Sequence, residues 1–305
     1  MDKDIFTLKH LNKCPVCDSD QHNYLGFRGG DSQRDGLGIE TKISQCLNCT
    51  VIFPNPFPLP ISHDAIYADA HEYFPDNAEE DWQMRAKEYE KIVEKFIKLI
   101  GSRERVSLLD IGAGRGEFVQ AASAFPEVDC VGVELSHDFI DFAAERGVEL
   151  EDTMLNELIQ KGQLFDGICL NAVIEHVHEP SIFIKEVSML LKKDGILFID
   201  CPNEPNLLTI IGNLASKILG SDTVYNLSPT WEPFHVFGFN PKALTILLNN
   251  NSIDISEMRI AGSNSVPYSG GGFKNYIKSI AGSMVLRLSN ILNMGDNLYA
   301  WCKKR

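Results

Sequence analysis

The stretch "SLLDIGAGRGEFVQAA", residues Ser107–Ala122, contains three glycines spaced two residues apart, directly after an apolar run. Gly112 and Gly114 allow a tight turn and let a ligand approach the backbone, because glycine has no side chain. Gly116 lets the helix that follows pack closely against the strand. The stretch therefore predicts a strand, a ligand-binding turn and a helix in succession.

The spacing of these glycines bears on the class of ligand. A dinucleotide site has the pattern G-x-G-x-x-G and holds a pyrophosphate at the helix N-terminus. Here the pattern is G-x-G-x-G, it lacks a P-loop lysine, and Asp110 precedes it. A phosphate beside Asp110 would face another anion, whereas a cationic, amino-acid-like ligand would not. A dehydrogenase is therefore the weakest interpretation.

The acid at Glu134 indicates a nucleoside. It ends the second apolar run, 24 residues after Asp110. A carboxylate at the end of the second strand accepts hydrogen bonds from the two ribose hydroxyls of an adenosine. The alternative is an acid at a helix N-terminus, which the helix dipole favours. The glycine turn and Glu134 together favour a nucleoside-containing cofactor.

Beyond residue 105, short apolar runs alternate with helical patterns. This alternation predicts an α/β fold with a doubly wound, mainly parallel sheet, whose ligands bind beyond the carboxyl ends of the strands. We expect seven strands, in "VSLLDIG", "DCVGVEL", "GVELE", "FDGICLNAV", "GILFIDCP", "SEMRIAG" and "NLYAWCKK". We expect helices over 116–124, 137–146, 154–161 and 180–191.

Four cysteines form two CxxC pairs near the N-terminus: Cys14, Cys17, Cys46 and Cys49. A CxxC turn directs two thiolates to one point, and two such turns complete a tetrahedron around Zn²⁺. A segment of about 50 residues has little core, so a metal would stabilise it. A redox motif would need a strand–helix context, which is absent here, and two disulfides are the other alternative. The doubled spacing favours a structural zinc ion in a closed, non-catalytic site.

The prolines of "PNPFPLP" predict a break in regular structure after the cysteine pairs. Apolar positions at helical spacing then indicate a helix from about residue 81 to 100. Two further apolar helices, at about 205–220 and 271–293, are expected as insertions. The chain is thus divided into a zinc-ribbon-like segment (1–60), a helical lead-in (61–101) and a main domain (102–305).

The composition limits the class of partner. The formal net charge is −14, from 28 Lys and Arg against 42 Asp and Glu, and surfaces that bind nucleic acid need basic residues to neutralise phosphates. No apolar run approaches the roughly 18 residues of a membrane-spanning helix, and the N-terminus lacks the apolar core of a signal peptide. We expect a cytoplasmic protein with a small-molecule partner and without nucleic acid.

Four blocks of the main domain carry a family resemblance: "LLDIGAGRGEF", "GVELS", "FDGICLNAVIEHVHEP" and "LLKKDGILFIDCPNEPN". In order and spacing they resemble class I S-adenosylmethionine-dependent methyltransferases, and the small-molecule enzymes of the ubiquinone and sugar types in particular. The cysteine pairs followed by "VIFPNP" resemble the zinc-binding front domain of bacterial sugar C-methyltransferases. The resemblance implies a Rossmann-like, seven-stranded fold and methyl transfer to a nucleotide sugar or another saccharide or lipid-linked metabolite.

The resemblance also implies roles in cofactor binding. The methionine portion of S-adenosylmethionine would lie on Asp110, Gly112 and Gly114. Glu134 would hold the ribose, and Leu135 would lie beside the adenine. The other cofactor residues are Ala113 and Gly116 in the glycine turn, Asp152 at the adenine amino group, Asn171 at the methionine amine or the methyl group, and Tyr67 and Tyr73 in the lead-in, which often closes over the cofactor.

Methyl transfer to a hydroxyl or a carbon acid needs a base, since a proton must be lost. Histidine is the usual base because its pKa lies near 7. His235, in "WEPFHVFGFN", is placed similarly to a candidate base of the sugar C-methyltransferases, and its alternative role is to bond a loop carbonyl. His176, in "IEHVHEP", follows the fourth strand, and its alternative role is packing. Glu175 could pair with either ring or orient the acceptor.

The insertions and the overall function each leave alternatives. The two apolar helices either pack on each other as a cap over the acceptor pocket or contact a lipid-linked substrate or a bilayer surface. An RNA methyltransferase that holds RNA with the zinc ribbon is disfavoured by the net charge. A non-catalytic scaffold that keeps the cofactor fold is weakened by the intact Gly112, Gly114 and Glu134.

Overall fold

The computed structural model describes residues 5–32, 36–61, 78–101, 103–262 and 273–305. Within its first part, five short strands form two small antiparallel sheets. One sheet has the order β2-β3-β4, and the other pairs β1 with β5. The strands are β1 (Phe6–Lys9), β2 (His22–Arg28), β3 (Thr41–Cys46), β4 (Ile52–Pro54) and β5 (Phe57–Pro60).

The sequence predicts a break in regular structure at the proline-rich stretch after the cysteines. The structure contradicts this prediction. Pro54 ends β4, and Phe57–Pro60 forms β5, where Leu8 lies opposite Pro58 and Phe6 opposite Pro60. Proline is tolerated in such a two-stranded ladder because both strands are edges with one unpaired side. Where the domain boundary falls stays a prediction.

The central sheet of the main domain has six strands in the order β10-β11-β9-β8-β6-β7. Neighbouring pairs among β9, β8, β6 and β7 are parallel, while β11 runs antiparallel to both of its neighbours. The doubly wound α/β fold expected from the alternating pattern is confirmed. Its strands are β6 (Val106–Ile111), β7 (Val128–Val133), β8 (Phe165–Asn171), β9 (Leu191–Pro202), β10 (Ile253–Ala261) and β11 (Asn297–Lys304).

The seventh expected strand, "GVELE", is reduced to one bridge between Val133 and Glu151. The preceding helix turn continues into this segment, since Gly147 is left-handed (φ 75°) and the Val148 N–H donates to the Ala143 carbonyl at 3.0 Å. Too few extended residues then remain to form a ladder with β7. The expectation of seven strands is therefore wrong for the part of the chain that the structure describes.

Helices cover both faces of the sheet and agree with the sequence within two residues for the four that the alternating pattern predicts. The lead-in helix begins three residues earlier than expected, at Ala78. The helices are α1 (Ala78–Ile100), α2 (Glu117–Ala122), α3 (His137–Ala144), α4 (Leu155–Gln160), α5 (Pro180–Leu190), α6 (Leu207–Ile218), α7 (Pro241–Asn249) and α8 (Phe273–Ile291).

The N-terminal sheets are continuous with the main domain. Ile52 and Gly238 exchange backbone hydrogen bonds of 3.1 and 2.9 Å, so that β4 is bonded to the chain that follows β9. Cys14, Phe53 and Phe57 are buried in the same apolar cluster as residues of β8 and β9. This packing buries apolar surface that a segment of 60 residues could not bury alone.

The two insertion helices contact each other, and the Leu207 N–H donates to the Met294 carbonyl at 3.0 Å. They do not cover each other's apolar faces: Ile218 is 76% exposed and Met284 is 67% exposed. The expected packing between them is therefore present but incomplete. No helix among the described residues is both long and apolar enough to cross a membrane.

We predict that Gly116→Ala destabilises the protein because Gly116 is left-handed (φ 78°) and a Cβ there would lie 2.8 Å from Val148 Cγ1. The left-handed backbone costs alanine about 1 to 2 kcal/mol, and the collision adds about 1 kcal/mol or more. The measurement is the free energy of unfolding in urea.

Gly147→Ala is the matched control, since Gly147 is also left-handed (φ 75°) but a Cβ there would meet nothing within 4 Å. In Gly147→Ala the free energy of unfolding should fall only by the cost of placing alanine in a left-handed backbone conformation. Equal losses for the two variants would show that close packing of α2 is not what requires Gly116.

Candidate active site

A cavity of about 1060 Å³ opens at the carboxyl ends of β6, β7 and β8. Because β7 lies on one side of β6 and β8 on the other, the loops that leave these strands diverge and create the crevice. The cavity brings together eight of the residues predicted from the sequence: Asp110, Gly112, Ala113, Gly114, Glu134, Leu135, Asn171 and His176.

The glycine turn is fixed to the second strand through its backbone. The N–H groups of Gly112 and Ala113 both donate to the Val133 carbonyl, at 2.9 and 3.0 Å. Gly112 (φ 67°) packs so closely that a Cβ would lie 2.8 Å from Val173 Cγ2. Gly114 (φ 54°) has open space where a Cβ would be. The turn is therefore rigid, and its backbone at Gly114 is open to a ligand.

The Glu134 carboxylate is held by three backbone N–H groups. Oε2 accepts from Gly114 at 2.8 Å, and Oε1 accepts from Leu135 at 2.8 Å and Ser136 at 2.9 Å. These bonds fix the carboxylate at the junction of the glycine turn and the end of β7. The side chain needs little further ordering to bind a ligand, which reduces the entropic cost of binding.

Asp110 lies at the floor of the cavity and is buried. Burial raises the pKa of this carboxyl well above its usual range, a hydrogen bond with Cys169 lowers it, and the charges of Glu117 and Glu134 raise it. A cationic ligand in the cavity would offset the cost of the buried charge. The electrostatics of the floor therefore agree with the cationic ligand expected from the sequence.

Sequence reasoning missed Tyr89, which lines the cavity from α1. Its hydroxyl oxygen accepts a hydrogen bond from Asn171 Nδ2 at 2.6 Å. The signal was available, because Tyr89 stands four residues before Val93 and seven before Phe96, on the face of α1 that packs on the sheet. The apolar positions that predict the helix begin only at Ile92, three residues after Tyr89.

Sequence reasoning also missed Arg115, which is fully buried between the glycines. Its Nη2 lies 2.7 Å from Asp81 Oδ2 and 2.6 Å from Glu117 Oε1. Its backbone carbonyl accepts from Trp82 Nε1 at 2.9 Å. The carboxylate two residues after the arginine was the only local signal, since Asp81 is distant in sequence. Arg115 thereby joins α1, the glycine turn and α2.

Some predicted residues lie away from the cavity wall. The Asp152 side chain is 55% exposed and lies 3.9 Å from His137 Nε2, while the next two residues, Thr153 and Met154, line the cavity instead. Gly116 is covered by Val148 and Ala143. Tyr67 and Tyr73 fall outside the described residues.

Glu175, His176 and His235 form a cluster next to the cavity. The Nε2 atoms of His176 and His235 lie 3.8 and 3.9 Å from Glu175 Oε1, and the two rings are 4.9 Å apart. These distances exceed hydrogen-bond length. Only His176 of the three lines the cavity.

The protonation of this cluster follows from its burial. Among the residues that the structure describes, none is a hydrogen-bond partner of either carboxylate oxygen of Glu175, and burial raises the pKa of this carboxyl to about 8. Burial lowers the pKa of His176 to about 3 and that of His235 to about 4. Both rings are therefore neutral at pH 7.

The four N-terminal cysteines converge in two turns of the same shape. In each turn the residue after the second cysteine is left-handed, Asp18 with φ 57° and Thr50 with φ 68°. Its N–H donates to the carbonyl of the first cysteine at 3.0 Å in both turns. The two turns therefore present their thiols in the same way.

All four sulfur atoms lie within 4.8 Å of one another, and no disulfide joins them. Two sulfur pairs, Cys14 with Cys49 and Cys17 with Cys46, are 3.5 Å apart. In a tetrahedron with Zn–S bonds of about 2.3 Å the sulfurs are about 3.8 Å apart. The donor set thus has the type, number and spacing that suit a tetrahedral thiolate site.

Comparison with known proteins identifies the main domain. A family model described as "Methyltransferase domain" matches residues 82–243, a range that contains the glycine turn, Glu134, Asn171 and His235. The mitochondrial ubiquinone biosynthesis O-methyltransferase of Dictyostelium discoideum is 27% identical over 176 residues, 51% of this chain and 52% of the relative. The ubiquinone biosynthesis O-methyltransferase of Coxiella burnetii is 29% identical over 162 residues, 51% of this chain and 64% of the relative.

The match to these relatives is partial, since the chain spans about half the length of the mitochondrial relatives it matches. Among solved structures, a chain from the complex of the Haloferax volcanii Trm112 methyltransferase activator with a putative methyltransferase has a TM-score of 0.50 at 12% identity. The alignment covers 79% of this chain and 96% of that chain. At this identity the likeness shows the fold, which is the Rossmann-like fold expected.

Proposed function

Because the chain belongs to the class I S-adenosylmethionine-dependent methyltransferases, we propose that it transfers the sulfonium methyl group to a hydroxyl group of a small molecule. The observation that carries the proposal is the cavity in which the open glycine backbone meets a carboxylate held by three N–H groups. Such a pair suits the amino-acid and ribose portions of one ligand. The relatives' names favour oxygen as the methylated atom.

We place the cofactor from the residues that line the cavity. Glu134 binds the ribose hydroxyls, and the exposed Leu135 beside it packs on the adenine. Asp110 and the glycine turn bind the methionine portion, whose ammonium group offsets the buried carboxyl. Thr153 and Met154 line the cavity, whereas Asp152 does not. We therefore place the adenine edge against Thr153 and Met154. Asn171, held by Tyr89, lies towards the methyl group.

When bound, S-adenosylmethionine supplies a methyl group already activated by the sulfonium charge. The chain therefore has to position the acceptor in line with the S–CH₃ bond and remove a proton. We propose that His176 contacts the acceptor, since it lines the cavity, and that Glu175 and His235 orient its ring. Glu175 and His176 follow Asn171 by four and five residues, after the end of β8.

The acceptor class is proposed from the resemblance and the relatives together. A hydroxyl compound related to the acceptors of ubiquinone biosynthesis is one class, and a nucleotide sugar or another saccharide or lipid-linked metabolite is the second. A screen should include mono- and dihydric phenols and nucleotide sugars, with release of S-adenosylhomocysteine as the readout. Turnover with a member of either class identifies the acceptor, and binding of the cofactor without turnover of any would favour a scaffold role.

We also propose that Cys14, Cys17, Cys46 and Cys49 bind one structural zinc ion. The convergence of four buried or half-buried sulfurs without a disulfide supports this proposal. All four coordination positions are then occupied by protein, so the ion takes no part in methyl transfer. Its role is to hold the two cysteine turns against the sheet β2-β3-β4.

We predict that Glu134→Gln weakens S-adenosylhomocysteine binding by about 10- to 100-fold, measured by calorimetric titration. The amide nitrogen cannot accept the N–H bonds that now hold the carboxylate, and it binds ribose hydroxyls less strongly than a charge does. Glu149→Gln, at an exposed acid that does not line the cavity, is the control and should keep wild-type affinity. Unchanged affinity in Glu134→Gln would remove the ribose assignment.

We predict that His235→Ala keeps affinity for S-adenosylhomocysteine and lowers turnover by about 10-fold. The low pKa of about 4 makes His235 a weak base at pH 7, so the loss should be smaller than the 100-fold or more that is typical of a general base. His10→Ala, at an exposed histidine, is the control. Wild-type turnover in His235→Ala would exclude any role in the reaction.

We predict that purified protein contains about one zinc ion per chain and that Cys46→Ser loses it, as measured by elemental analysis. The melting temperature should fall as well, because metal binding contributes to folding. Cys130→Ser, at a cysteine outside the cluster, should retain the metal. Wild-type protein that contains no zinc and melts at the same temperature as Cys46→Ser would contradict the proposed site.

A further inference from the structure

Three neighbouring strands place polar side chains in a row at the cavity end of the sheet. Asn171 on β8 lies opposite Asp200 on β9, and Asp200 lies opposite Tyr299 on β11. Opposed residues of a ladder point to the same face. That face is the one covered by α1, since Phe198 and Trp301 on it belong to the cluster of α1.

Asp200 differs from its neighbours in this row because its carboxylate has no hydrogen-bond partner among the described residues. Asn171 donates to Tyr89 at 2.6 Å, and the Tyr299 hydroxyl accepts from Asn297 at 3.2 Å. Within the described part of the chain, no group bonds to the Asp200 carboxylate. A half-buried carboxylate without a partner pays a desolvation cost that nothing in the fold offsets.

The position of Asp200 relative to the cavity is fixed by its own backbone. Its carbonyl accepts from the Ala172 N–H at 2.8 Å, and Ala172 lines the cavity. Adjacent strands lie about 4.8 Å apart, so Asp200 stands one strand beyond Asn171. Asp200 does not itself line the cavity, and β8 and β6 separate its strand from β7, at whose end Glu134, where the ribose is placed, lies. Asp200 is therefore on the side where an acceptor would approach the methyl group.

We propose that Asp200 is the group that takes the proton from the acceptor hydroxyl during methyl transfer. The inference rests on the proposed function and assigns its base to a residue of the α1 face rather than to the histidine cluster. The acceptor hydroxyl arrives in its neutral, protonated form, because a carboxylate at this point would repel an alkoxide or a phenolate.

The other titratable groups near this end of β8 are less suited to the role. Burial holds the pKa of His176 near 3 and that of His235 near 4, while burial raises the pKa of Asp200 to about 7. A general base works best when its pKa is close to the ambient pH. Glu175 has a raised pKa as well, but its side chain is fully buried, whereas Asp200 is half-buried beside Asn171, which lines the cavity.

The step balances without a further reactant. The O–CH₃ bond forms as the S–CH₃ bond breaks, and the bonding pair of the latter stays on sulfur. The hydroxyl proton moves to Asp200 Oδ, which leaves a methyl ether, neutral S-adenosylhomocysteine and a protonated carboxyl. Asp200 returns the proton to water when the products leave.

The test uses two ligands and needs no acceptor. Sinefungin carries a C–NH₃⁺ group where the cofactor carries its S⁺–CH₃ group, whereas S-adenosylhomocysteine has a neutral sulfur there. A carboxylate that faces the methyl group should favour sinefungin over S-adenosylhomocysteine. Affinities of the full chain for both ligands are measured by calorimetry at pH 8, for wild type, Asp200→Asn and Asp254→Asn. Asp254 is an exposed acid paired with Arg305 and serves as the control.

We expect Asp200→Asn to keep its affinity for S-adenosylhomocysteine and to lose about fivefold or more in affinity for sinefungin, with Asp254→Asn unchanged. An unaltered ratio of the two affinities, or an equal loss for both ligands, would overturn the assignment of Asp200. Failure of the wild type to bind S-adenosylhomocysteine would instead refute the proposed function. Asp200→Ser is the second variant if the amide disturbs folding.

Discussion

The shape of the cavity depends on one buried guanidinium. Arg115 stands inside the glycine turn, and its ion pairs with Asp81 and Glu117 connect the turn to the helices on either side of it in the chain. A buried arginine is stable only when its donors are matched by fixed acceptors, and removing one member of such a set leaves an uncompensated charge. The turn can therefore keep its open backbone only while α1 stays docked.

The parts of the fold that the sequence predicted are those encoded by local periodicity. The helices, the glycine turn and the carboxylate at Glu134 all follow from patterns within about ten residues. The row formed by Asn171, Asp200 and Tyr299 does not, because it depends on strand order and register. The prediction of a seventh strand is wrong for a related reason. The last turn of the preceding helix extends to Val148 and so includes residues that the apolar pattern assigns to a strand.

Backbone hydrogen bonds connect the N-terminal segment to the cluster of Glu175, His176 and His235. β4 bonds to Gly238, and the backbone carbonyl of Glu175 accepts from Val236 and Phe237 at 2.9 and 3.0 Å. The loop that carries His235 is thus held from both sides, by the cysteine-containing segment and by the end of β8. A rigid loop of this kind positions a side chain more precisely than a free one, at the cost of coupling the site to distant packing.

The position of β11 in the sheet determines the order in which the strands can pair during translation. Among the described strands, β10 pairs with β11 at the edge of the sheet, and β11 lies between β10 and β9. A ribosome therefore finishes β10 before the strand that must receive it has been made, and the edge of β9 stays open meanwhile. Tyr299 belongs to that late strand. The neighbour that Asp200 has on β11 is consequently added last, after the strands whose ends form the cavity have been made.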